Sequence, residues 1–154
     1  MRSIFKLSIF VLLTLFSAAA FCQAGNNYDS VLAKKLGADE YGMKNYVFVI
    51  LKSGTNTMTD KAKLDSIFRG HLANIHRLAD HGDLVLAGPF GDNPNKYRGI
   101  FIFNAKSTEE IKKMLETDPA VKAKILEPEL YPWYGSAAVQ EINDLHKKVA
   151  KTSF

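Results

Sequence analysis

An apolar stripe constrains this chain more than any other feature. Leu64, Phe68, Leu72, Ile75 and Leu78 recur at three- and four-residue steps, the mark of a helix with one face turned to a core. The stripe predicts a helix from about Lys61 to Asp80, capped by Asp60 and stopped at His81-Gly82-Asp83. At ~100° per residue, His71 falls within ~20° of the centre of the stripe. His76 lies at its edge, and His81 lies beyond the helix end. One imidazole therefore points inward, either as a satisfied core histidine or as part of a pocket lining.

The rest of the chain supplies the surface against which that helix packs. Asn45 to Lys52 is a continuous β-branched and aromatic run, which reads as a central strand buried on both faces. Leu84 to Gly88 is a short strand ended by Pro89, and Tyr97 to Asn104 is a third. Gly99 inside the third strand marks a bulge or a close backbone approach. Ser107-Thr108-Glu109-Glu110 is a capping box opening a second helix, which Asp118 ends before Pro119. Ala120 to Lys124 can add one more turn. Ile125 to Tyr134 is a strand whose Pro128 and Pro132 confine it to an edge or a bulge.

This order is βαββαβ, the ferredoxin-like α+β unit: two helices on one face of a four-stranded antiparallel sheet. A short helix within Asp29–Gly37 precedes it, and an amphipathic helix over Ser136–Lys151 follows. The expected division is a signal peptide over 1–24, a leader with its short helix over 25–44, the domain over 45–135 and the C-terminal helix over 136–154. Two helices leave the other sheet face bare. A second subunit packing sheet to sheet covers it, or else the appended helix does; the homodimer is the expected solution.

The first 24 residues predict export. Met1 to Lys6 is a basic start, Leu7 to Phe16 an apolar run too short to span a bilayer, and Ser17 to Ala20 a small-residue segment. Cleavage after Ala24 follows, with a periplasmic or secreted destination and no stable membrane anchor. Lipidation of Cys22 is disfavoured by bulky Phe21 before it. Removing Arg2 and Lys6 takes the 20 basic residues to 18 against 16 acids, a net charge of +2. No clustered basic face points to nucleic acid. The single cysteine, Cys22, leaves with the leader, so no disulfide or thiolate chemistry is expected.

Little else in the sequence carries chemistry. His71 and His76 are five apart, about 140° round a helix, which is poor metal-ligand spacing. Gly88-Pro89-Phe90-Gly91 is no phosphate loop, and no Gly-x-Ser-x-Gly elbow occurs. There remains His71 with a carboxylate. Asp118 ends a helix on the same sheet face, so the two side chains can converge. A carboxylate bonded to imidazole fixes its tautomer and raises its basicity. Asp83 and Asp92 are better explained by turns. Trp133 and Tyr134 either cap a pocket or pack the core.

His71-Leu72, Leu84-x-x-Ala87-Gly88-Pro89-Phe90, Gly99, Asp118-Pro119 and Pro132-Trp133, taken in order, resemble the YCII-related domain family over roughly Ala38 to Gly135. Ala38 to Lys44 also resembles exported members. The resemblance implies a dimeric α+β barrel whose pocket holds a histidine and an aspartate as an acid/base pair, here His71 and Asp118. Pro89, Phe90 and Trp133 are then the candidate substrate-binding residues. The implied activity needs no metal and no cofactor: proton transfer of lyase or isomerase type on a small aromatic or carbonyl compound. The alternative is a non-catalytic module that binds a small ligand in the periplasm, with His71 as a polar anchor.

Overall fold

The computed structural model describes residues 27–152. The expected signal peptide and its cleavage site lie outside the described residues. By its internal contacts the chain divides between Ser30 and Val31, and the sheet belongs to the second unit. The elements are α1 (Ser30–Leu36), β1 (Met43–Ser53), α2 (Lys61–Asp80), β2 (Leu84–Pro89), β3 (Tyr97–Phe103), α3 (Thr108–Leu115), α4 (Pro119–Lys122), β4 (Leu126–Ser136) and α5 (Ile142–Val149).

The strands form one antiparallel sheet in the order β2-β3-β1-β4. That order, with α2 and α3 on one face, is the ferredoxin-like arrangement. The core lies between the helices and that face. Val47, Val49 and Leu51 of β1 and Phe101 and Phe103 of β3 meet Leu78 of α2 and Ile111 and Leu115 of α3. Period-two alternation in the strands thus meets helical periodicity across a single interface.

β4 is an edge strand. Its Pro128 and Pro132 lie opposite Leu51 and Val47, as their missing N–H groups require. Both readings of Gly99 hold. The register between β1 and β3 shifts beside it, where Leu51 pairs with Gly99 and Lys52 with Tyr97. A Cβ at Gly99 would also stand 3.0 Å from the Gly88 carbonyl oxygen.

β1 is not equally buried on its two sides. Tyr46 is buried with Val85 and Ile102 against Val139, whereas Phe48, Ile50 and Ile100 are half-buried. The cover over Tyr46 comes from the C-terminal segment, which is not one long helix as expected. Ala137–Glu141 is a 3₁₀ turn, and α5 starts only at Ile142. The Ala137 carbonyl is occupied by the Tyr46 hydroxyl at 3.3 Å and the Gln140 amide at 3.1 Å. Those bonds compete with an α-helical start there. Asn143 then ties α5 to the Leu84 carbonyl at 2.8 Å.

Candidate functional site

α2 positions His71. Asp60 caps the helix by accepting from the Lys63 amide, and the apolar stripe sets its rotation over the sheet. His71 is 7% exposed, and its ring lies between Phe68 and Phe101, with centroids 6.1 and 6.0 Å away. Leu72, expected within the buried stripe, is 43% exposed. It stands at the rim of a cleft, where the helix face runs past the core.

Asp118 reaches His71 from the other side, in a role that differs from the expected helix stop. It is the N-cap of α4, with Pro119 as the first helical residue, where a fixed φ and a missing N–H cost nothing. Asp118 Oδ1 accepts from the amides of Ala120 at 2.9 Å and Val121 at 3.3 Å. Oδ2 accepts from His71 Nδ1 at 2.8 Å and from Asn74 Nδ2 at 3.1 Å. The carboxylate is fully buried. Burial pushes its pKa up, but the hydrogen bonds from His71, Asn74 and Ala120 and the charge interaction with His71 outweigh that effect, leaving the pKa below the ordinary value.

An ionised carboxylate has only acceptors, so His71 Nδ1 must carry the proton. In the neutral imidazole Nε2 is then the lone-pair nitrogen. It has no hydrogen-bond partner among the described residues, none of whose buried side-chain nitrogens or oxygens is left unpaired. Nε2 is therefore in contact with solvent rather than sealed in the core. His71 lines a cleft of about 340 Å³ together with Phe68, Leu72, Pro89, Arg98 and Phe101, among others. The walls are mostly apolar, and the backbones of Gly88 and Gly99 contribute to them.

Of the three candidate substrate-binding residues, Pro89 lines this cleft. Phe90 turns away beyond the strand end and packs on Tyr97, with centroids 5.9 Å apart, in a separate surface groove. Trp133 stands opposite Tyr46 in the sheet and packs against Tyr46 and Phe48 on the face away from His71. Among the described residues no three His, Cys, Asp or Glu side chains gather to hold a metal ion, and no helix is long and apolar enough to cross a membrane.

Two residues of the site belong to no motif in the sequence. Asn74 is three residues on from His71, on the same helical face, and its Oδ1 accepts from Arg77 Nη2 at 2.8 Å. That bond turns the amide donor toward Asp118. Gly70 precedes His71 and packs on the Pro119 ring. A glycine inside an otherwise good helix is a packing signal.

No family model matches the chain, and no curated protein does. Among solved structures it is similar to the 5-chloro-2-hydroxyhydroquinone dehydrochlorinase of Burkholderia phenoliruptrix AC1100, solved in complex with 2,5-dihydroxybenzoquinone. The two share 21% identity over 56% of this chain and 92% of that chain, with a TM-score of 0.42.

Proposed function

We propose that this protein is a small exported enzyme in which His71 moves a proton to or from carbon, oriented by Asp118. The reaction is of lyase or isomerase type, on a small aromatic or carbonyl compound, and calls on no metal or cofactor. The observation that carries this reading is the direction of the imidazole. Nδ1 is committed to Asp118, which leaves Nε2 free for a ligand in the apolar cleft that His71 lines. A positioned base of this kind contributes about 10²–10⁴-fold in rate. The resemblance to the YCII-related family supports the same pair of residues.

The basic and apolar N-terminal segment supports a periplasmic or secreted location, with cleavage after Ala24. The half-buried Phe48, Ile50 and Ile100 on the sheet face away from the helices support a homodimer.

Carbon-bound proton exchange in heavy water tests the chemistry. Small aromatic and carbonyl compounds are incubated with the protein, and deuterium incorporation is followed by NMR. The expected result is catalysed exchange that His71→Ala abolishes while the far-UV spectrum is kept. Exchange equally fast in His71→Ala overturns the assignment.

One observation favours a second reading. Asp118 caps α4 through Oδ1, and a capping aspartate needs no catalytic reason to be there. A ligand-binding module would hold a small molecule saturably in the same cleft and form no product.

A further inference from the structure

The cleft beside His71 is electrically lopsided. Its lining includes Leu51, Phe68, Leu72, Ile75 and Phe101, and it contains no Asp or Glu. Its one permanent charge is Arg98, which follows Tyr97 at the bulged end of β3. Arg98 is exposed, and among the described residues no carboxylate lies within ion-pair distance of it. Asp118, bonded to His71 behind the cleft wall, spends its two oxygens on His71, Asn74 and two backbone amides. Arg98 also lines the neighbouring groove that contains Asp92, but with no carboxylate at ion-pair distance its guanidinium keeps a fork of donors for an anionic oxygen group.

We propose that Arg98 is the specificity-determining anchor of this site, and that the cleft takes a small ring compound carrying one anionic oxygen group. The inference rests on the cleft being the substrate site proposed above, and it names the substrate class. About 340 Å³ is near the lower end of ligand pockets, roughly 300–1,000 Å³, which suits one substituted ring. The ring lies against Phe68 and Phe101, its anionic group meets Arg98, and the reacting carbon faces His71 Nε2. The anchor thus sets orientation as well as affinity.

Calorimetric titration with benzoate and its neutral isostere benzamide tests the proposal. Benzoate is expected to bind the wild-type protein more tightly than benzamide. Loss of a charge-assisted pair predicts that Arg98→Gln weakens benzoate about tenfold or more and leaves benzamide unchanged. Added salt should weaken benzoate in the wild type more than in Arg98→Gln. Arg98→Lys, which keeps the charge without the fork, should retain the preference for benzoate if Arg98→Gln fails to fold. Equal affinity for the two probes in the wild type, or benzoate bound as tightly by Arg98→Gln, overturns the proposal.

The same titrations on His71→Asn separate this inference from the catalytic reading. A benzoate preference that survives in His71→Asn, with no proton exchange in the wild type, sinks the acid–base assignment and leaves the anchor standing. Proton exchange without a benzoate preference does the reverse.

Discussion

Gly70 of α2 lies so close to Pro119 of α4 that a Cβ on Gly70 would sit 2.9 Å from the proline Cγ. The contact joins the residue before His71 to the residue after Asp118, so it sets the spacing of the pair. Gly70→Ala therefore pits two effects against each other. Helix propensity favours alanine by about 1 kcal/mol, and overpacking against a rigid ring costs about 1–3 kcal/mol. The clash is expected to win, so a urea melt should show a lower midpoint for Gly70→Ala. A raised midpoint would mean that α4 yields freely.

Asn74→Ala removes one of the four hydrogen bonds to Asp118 together with the bond from Arg77. Loss of a bond to a buried charge predicts a fall in stability of about 1–3 kcal/mol. The His71 bond remains, so proton exchange should slow less than in His71→Ala. Chemical denaturation and exchange kinetics on the two variants check the order.

The pH dependence follows from the lowered pKa of Asp118. The folded state binds a proton at this carboxylate less readily than the unfolded chain does. The resulting stability is complete above the ordinary carboxylate range and is lost as pH falls through the lower, folded value. Asp118→Asn keeps a capping oxygen but gives up the charge. The wild type should therefore be the more stable at neutral pH, with the gap closing below about pH 4. A gap that stays constant down to pH 2 would place the difference in the cap instead.

The sheet face away from the helices gives a prediction about assembly. Ile100 is half-buried beside Ile50, and a lysine there would put a charge into a sheet-to-sheet contact. Wild-type protein should sediment as a dimer and Ile100→Lys as a folded monomer. Wild type sedimenting as a monomer removes the basis for the homodimer.

Much of this architecture was legible in the residues because it rests on period and punctuation. The Leu64–Leu78 stripe set the direction of His71, and Pro128 and Pro132 sent β4 to an edge. Asp118 comes near His71 because two helices on one sheet face must run side by side. Its capping role was not legible, since Asp-Pro reads equally well as the end of one helix or the start of the next. Asn74 and Gly70 act through contacts with residues more than forty positions away, which no local pattern encodes. Phe90 and Trp133 belong to motifs that are continuous in sequence, but strand alternation and the turn after Pro89 send them elsewhere. The C-terminal helix shortened because Tyr46, far upstream, occupies a carbonyl at its start.

Among the described residues that line the cleft, His71 is the one group able to shuttle a proton. A flip of the His71 ring would break its bond to Asp118, so in the proposed chemistry Nε2 both collects and delivers the proton. Under that proposal a hydrogen removed from a bound substrate leaves and returns on the same side of the molecule. In the proposed chemistry an isomerisation here is suprafacial, and a chirally labelled substrate would carry that stereochemical record into its product.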